Sequence, residues 1–182
     1  MIKVEKIRGK DLSLNFIRLW RKTTIKTFKE DNPLSLTDRR EYARDIFFIV
    51  KDGGKIVSFG RSRPIKINFL GKNYDILGWG DVISLKKRKG YGKVLMKAMK
   101  EYAEKRNKTA FGFFHPKNYL FYKSCGFVII KNIVRRFTYI DKKKGLIRNT
   151  WDKHINYVEG KDKFIHKLLS TKKDVLLSGP FW

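Results

Sequence analysis

A chain of 182 residues with 42% apolar and 14% aromatic content is the size of one compact domain, which excludes a disordered or collagen-like protein. The longest wholly apolar run, Ile46 to Val50, is too short to cross a bilayer, and Met1 to Glu5 lacks a secretory apolar core, so a soluble cytoplasmic protein is expected. The 43 Lys and Arg against 17 Asp and Glu give a formal net charge of +26, a field that favours anionic partners, although basic residues scattered along the whole chain equally suit a lysine-rich solvated surface.

In chain order, Val4 to Ile7 reads as a short strand. Asp11 or Ser13 can then cap a helix running to about Phe28, with Leu14, Ile17, Leu19 and Trp20 near helical spacing. Asp31-Asn32-Pro33 breaks that helix, and Ser35 or Thr37 can cap a second, short one through Tyr42 and Ala43. Ile46 to Val50 reads as a buried strand, Asp52-Gly53-Gly54 as a hairpin turn, and Lys55 to Ser62 as the returning partner. Pro64 predicts a bend or a sheet edge. Ile65, Ile67 and Phe69 alternate with polar residues up to a Gly71-Lys72-Asn73 turn, beyond which Asp75 to Leu85 forms the next strand.

From Tyr91 to Arg106 the apolar period changes from two to that of a helix, with Val94, Leu95, Ala98, Met99, Tyr102 and Ala103 on one stripe. Ala110 to Phe114 is a further strand, Pro116 to Ser124 a short helix stopped by Gly126, and Phe127 to Ile130 a strand. Phe137 to Ile140 can return as a strand, followed by the charged turn Asp141 to Gly145. In the tail, Phe164, Ile165, Leu168 and Leu169 have helical spacing, and Val175 to Leu177 precede Ser178-Gly179-Pro180-Phe181-Trp182. The single cysteine, Cys125, excludes an internal disulfide and a multi-cysteine zinc site; no metal is expected, and Cys125 reads as a small buried apolar residue.

The chemistry concentrates where the strand before Leu85 leads through Lys87-Arg88-Lys89-Gly90-Tyr91-Gly92 into a helix. Such a turn leaves backbone N–H groups unpaired and pointing one way, the helix dipole adds positive potential, and glycines let an anion approach closely. Lys86, Lys87, Arg88, Lys89 and Lys93 add formal charge around it.

One helix and one strand later comes Asn118-Tyr119-Leu120-Phe121-Tyr122-Lys123-Ser124-Cys125-Gly126-Phe127. Together the two segments resemble the GCN5-related N-acetyltransferases (GNAT). Their glycine signature is matched by Lys87 to Gly92, with Lys in the Arg/Gln place, and their Tyr four residues before Gly-Phe by Tyr122 and Gly126-Phe127. Residues from about Lys55 to Ile130 carry the resemblance.

It implies an α/β (α+β) GNAT fold over 1–182: a mixed, mostly antiparallel central sheet of about six to seven strands flanked by helices, with a splayed central strand pair and a C-terminal extension from about 141. It implies acetyl-CoA (coenzyme A) as cofactor and acetyl transfer to a primary amine. The diphosphate would lie on Lys87, Arg88, Lys89, Gly90, Tyr91, Gly92 and Lys93, the pantetheine arm along Val82, Ile83 and Ser84, with Asn118 a further contact. Tyr122 would protonate the departing thiolate, a reasonable match for a phenol with a pKa of about 10.

Asp81, a scarce acidic residue just before Val82, is the candidate general base, with His115 a weaker second choice that falls with Trp79 and Phe113 on the acceptor side. A strand, a polar turn and a terminal Trp resemble the aminoglycoside 2'-N-acetyltransferase and nodulation N-acyltransferase branch, which would bring Trp182 to the acceptor. The usual Pro and acidic residue before the loop are replaced by Ser84-Leu85, a departure from the family pattern; the net charge of +26 and the scarcity of acids argue against a polycationic drug as acceptor unless a local acidic pocket reverses the repulsion. A small-molecule, tRNA-linked or protein amine, anionic overall, fits the charge, with the enzyme a monomer or homodimer. A GNAT-fold nucleic-acid-binding or interaction module without catalysis, and an acyltransferase acting on aminoacyl-tRNA, are the alternatives.

Overall fold

The structure is a computed structural model that describes residues 1–28, 39–141, 143–179 and 181. It is a mixed α/β fold whose seven-stranded sheet runs in the order β1-β2-β3-β4-β5-β9-β6, with a separate three-stranded sheet β10-β7-β8. The strands are β1 (Ile2–Arg8), β2 (Ile46–Asp52), β3 (Lys55–Phe69), β4 (Lys72–Ser84), β5 (Ala110–Phe114), β6 (Val128–Ile130), β7 (Phe137–Asp141), β8 (Gly145–Arg148), β9 (His154–Val158) and β10 (Val175–Leu177). The α-helices are α1 (Leu14–Phe28), α2 (Tyr91–Glu104), α3 (Tyr119–Ser124) and α4 (Phe164–Leu169). The chain divides into two compact units, one of Met1–Arg63 with Gly80–Met99, the other of Pro64–Trp79 with Lys100–Trp182.

In the first unit β1 and β2 pair antiparallel from Ile2↔Asp52 to Arg8↔Ile46. The β2–β3 hairpin closes through Gly53 and Gly54, both at positive φ, which glycine adopts without steric penalty. Ser13 rather than Asp11 caps α1: its Oγ accepts from the Phe16 amide at 3.2 Å. The helix then buries Phe16, Ile17 and Trp20 against Phe47, Ile49, Phe59 and Ile83. Each such side chain contributes roughly 1.5–3 kcal/mol by leaving water, and Phe16, Trp20, Tyr42 and Phe47 add edge-on ring contacts. Gly60 on β3 lets α2 approach: a Cβ there would lie 3.2 Å from Met99 Sδ.

In the second unit β9 lies between β5 and β6 and pairs antiparallel with both. Its core gathers Ile67, Tyr74, Ile76, Phe111, Phe137, Ile155, Phe164 and Leu168. The parallel register of β4 with β5 consists of Leu77↔Ala110 and Gly78↔Phe111.

Three sequence expectations need correction. Pro64 neither ends nor interrupts its strand, since β3 continues through it from Lys55 to Phe69. The second helix is only a 3₁₀ turn at Arg39–Glu41 in the described residues, with Tyr42 and Ala43 in the turn that follows; Asp31-Asn32-Pro33, Ser35 and Thr37 lie outside them. Cys125 is half-buried, not a core residue.

Candidate active site

In the first unit, β4 ends at Ser84 and the chain turns through exposed residues 85–90 before α2 begins at Tyr91. Two residues in the turn, Arg88 and Gly90, adopt positive φ of 60° and 78°, the left-handed steps from which main-chain anion nests are built. The turn at Lys87-Arg88 aims the Lys89 amide back at Lys86 O, while among the described residues the Lys87, Arg88, Gly90, Tyr91 and Gly92 amides meet no main-chain acceptor; the first amide of the helix to do so is that of Lys93, to Gly90 O at 3.0 Å. A Cβ on Gly90 would meet nothing within 4 Å, so the turn is open on that side. Open main-chain amides at a helix start, ringed by exposed Lys86, Lys87, Arg88 and Lys89, are chemically suited to a multiply charged anion. The donor set fits the diphosphate of coenzyme A.

The strand leading into this turn is itself bent. Asp81 has a φ of 51°, in the left-handed region where Asp is one of the few tolerated residues other than glycine. Its Oδ2 accepts from Trp20 Nε1 at 3.0 Å and faces Arg61 Nε at 2.7 Å. Past the bend, Val82 and Ser84 are half-buried and Ile83 is buried; Ile83 O accepts from Ser58 Oγ at 2.8 Å, and the Leu85 amide donates to Val57 O at 2.9 Å.

The other sequence-predicted residues fall in the second unit. Tyr122 on α3 is buried against Phe114, Phe121 and Phe127, with the Asn156 side chain beside it. Burial pushes its phenol well above the usual range, the charge of Asp152 adds to the shift, and the Asn156 contact partly opposes it. Asn118 is exposed, and its side chain caps nothing in α3. His115, half-buried, accepts from the Lys117 amide through Nδ1 at 3.1 Å. Trp79 and Phe113, expected on the acceptor side, are 2% and 9% exposed and pack into protein, Trp79 edge-on to Phe127 and Phe113 against Phe111, Phe137 and Phe181. Trp182 lies outside the described residues.

Three residues in the second unit were missed from sequence. Asn156, on β9, is 1% exposed and its Oδ1 has no partner among the described residues. Trp151 is 66% exposed with its ring 5.5 Å from that of His115, and the half-buried Asp152 carboxylate, held by Asn149 Nδ2 at 3.0 Å, feels the His115 charge and itself acts on Tyr122. Burial raises the Asp152 carboxyl above the usual carboxylate range. The segment hangs from the end of β5, the Lys153 amide donating to Phe114 O at 3.3 Å. An exposed tryptophan was the one signal sequence could have weighed, but exposure is not legible in a residue type.

Among the described residues no cluster of three or more His, Cys, Asp or Glu could hold a metal ion, and no helix is long and apolar enough to cross a membrane.

Residues 9–130 match the acetyltransferase (GNAT) domain. No curated protein matches the sequence. Among solved structures the fold is similar to Escherichia coli ElaA, at 15% identity and a TM-score of 0.57 over 87% of this chain and 99% of that one. It is also similar to an acyl-CoA N-acyltransferase from Pseudomonas aeruginosa, at 16% identity and a TM-score of 0.54 over 85% and 97% of the respective chains. A probable N-acyltransferase from Enterococcus faecalis matches at 19% identity and a TM-score of 0.55 over 72% of this chain; the match spans only 35% of that longer protein.

Proposed function

Because the chain belongs to the GNAT acetyltransferase family, we propose that it transfers an acetyl group from acetyl-CoA to a primary amine. The observation that carries this reading is the Lys87–Gly92 turn, with its open main-chain amides, its flanking lysines and its place at the start of α2. When bound, acetyl-CoA supplies the thioester carbonyl and the thiol leaving group.

The amides of Lys87 to Gly92 bind the diphosphate, with Lys93 and the exposed lysines adding charge, and the Val82, Ile83 and Ser84 main chain carries the pantetheine arm, with Asn118 a further contact. Tyr122 Oη holds a proton for the sulfur. Its burial keeps the phenol neutral through the physiological range, so the proton is present when it is needed. Asp81 is the candidate to take the amine's proton, through Oδ1, since Trp20 and Arg61 both engage Oδ2.

His115, Trp151 and Asp152 supply the acceptor side: a ring face, an imidazole and a carboxylate that can pair with an ammonium group. The net charge of +26 favours an acceptor that is anionic apart from its amine. The test is thiol release from acetyl-CoA across a panel of amines, with the acetylated product identified by mass spectrometry. Release that depends on an amine supports the reading; binding of RNA or DNA with steep salt dependence and no turnover would replace it with a binding module.

A further inference from the structure

The first unit encloses a group of four charges, Asp45, Arg61, Arg63 and Asp81, of which the proposed chemistry uses only Asp81. Asp45, 2% exposed, is fixed by its own main chain, its amide donating to Tyr42 O at 3.0 Å and its carbonyl accepting from Gly9 N at 2.8 Å. Arg61 on β3 bridges from it to Asp81 of β4: Nη1 donates to Asp45 Oδ2 at 2.9 Å, and Nε lies 2.7 Å from Asp81 Oδ2 as an ion pair without the alignment of a hydrogen bond. The guanidinium lies 5.5 Å from the Trp20 ring, whose own N–H donates to the same Asp81 oxygen. Arg63 Nε lies 3.3 Å from Asp45 Oδ2, so two cations and two anions balance inside a strongly basic protein.

Buried ion pairs of this kind give little net stability against an apolar replacement, and their best-attested use is to fix one conformation. Here the conformation in question is the positive φ of Asp81, which an L-residue adopts only when its surroundings hold it there. Every contact named for the Asp81 side chain lands on one oxygen and comes from a residue anchored elsewhere, Trp20 in α1 or Arg61 through Asp45.

We infer that Arg61, anchored on Asp45 and assisted by Trp20, is a positioning residue that holds Asp81 in its left-handed conformation and so sets the bend of β4 from which Val82, Ile83 and Ser84 extend toward the Lys87–Gly92 turn. The consequence for coenzyme A rests on the function proposed above; the consequence for the backbone does not.

The experiment compares wild type, Arg61→Met and the double variant Arg61→Met/Asp81→Gly, reading coenzyme A affinity by calorimetry and the φ of residue 81 from NMR scalar couplings. Turnover is not the readout, because Asp81 is also the candidate base. In Arg61→Met, φ at position 81 should leave the positive region and the coenzyme A Kd should rise about tenfold, the scale of a left-handed penalty no longer offset. Glycine takes that conformation without help, so the double variant should return the Kd to within about twofold of wild type. A loss of packing alone would not be repaired by removing a further side chain.

Should Arg61→Met fail to fold, Trp20→Phe removes the indole N–H while keeping an aromatic ring, and a shift of the same couplings is expected. Couplings unchanged in whichever variant folds, or a glycine that fails to restore affinity, overturn the inference. If the wild type binds no coenzyme A, the functional reading falls, and the couplings still decide the role of Arg61.

Discussion

Tyr91 Oη donates a 2.5 Å hydrogen bond to Asp52 Oδ2, tying the residue between the two loop glycines to the β2–β3 hairpin. The Lys87–Gly92 turn is thereby fixed by its one buried side chain, Tyr91.

Tyr91→Phe should therefore weaken coenzyme A binding by about three- to tenfold, the usual scale of one hydrogen bond, and leave the thioester chemistry unchanged at saturation. Calorimetry and kcat at saturating acetyl-CoA check the two halves. The bond also has a pH signature. It lowers the Asp52 carboxyl below its ordinary 3.8 and raises the Tyr91 phenol above its ordinary 10.0. Its stabilisation is present above the unfolded carboxylate value, is lost as acid protonates Asp52 through its lowered folded value, and is lost at the alkaline end as Tyr91 ionises above 10. Urea midpoints measured from pH 5 down to pH 2.5 should fall more steeply in wild type than in Tyr91→Phe.

Tyr122→Phe should lower kcat by about 10²-fold or more, the range for loss of a positioned acid, with coenzyme A affinity within about twofold of wild type. Because burial raises the phenol, the alkaline limb of the wild-type rate profile should not come from Tyr122 below pH 10. Single-turnover kinetics across pH 6–10 test both statements, and an alkaline limb that disappears in Tyr122→Phe would count against them.

Trp151→Ala removes an exposed ring that packs beside His115. Little stability is at stake at so exposed a position, so the effect should fall on the acceptor: its KM rises severalfold, and the KM of acetyl-CoA does not move. Steady-state kinetics with both substrates varied check this once an acceptor is in hand.

Thr109 provides a control away from the chemistry. Its hydroxyl contacts Asp162 Oδ1 and Glu159 Oε1 and accepts from the Gly160 amide at 2.9 Å. The same two carboxylates accept from the Phe164, Ile165 and His166 amides and so cap α4. Thr109→Val should destabilise the fold by roughly 1–3 kcal/mol, the cost of stranding buried polar partners, while coenzyme A affinity stays within about twofold. Denaturant unfolding and calorimetry on the same protein give both numbers.

Local signals made much of this legible in sequence. The Gly53-Gly54 hairpin, the glycine turn before α2, the Gly126 stop and the apolar stripe of α2 are each fixed by residues within a few positions of one another. What stayed hidden depends on distant partners. β9, His154–Val158, carries a buried His and a buried Asn where a strand signal would want apolar residues, and its identity comes from β5 and β6 on either side. Pro64 reads locally as a bend or a sheet edge; β3 passes through it, just beyond Ser62, the last residue paired with β2. Asp81 could be singled out by its chemistry, but its grip by Trp20 and Arg61 spans 61 and 20 positions of sequence. The exposure of Trp151 and the burial of Trp79 likewise follow from packing, not from composition.

Hydrogen exchange measures the Lys87–Gly92 amides, the proposed anion site, directly. Adding coenzyme A should slow exchange across Lys87 to Gly92 and leave the Gly53–Gly54 hairpin turn unchanged. Coenzyme A that binds while the Lys87–Gly92 amides exchange at their original rate would contradict the account.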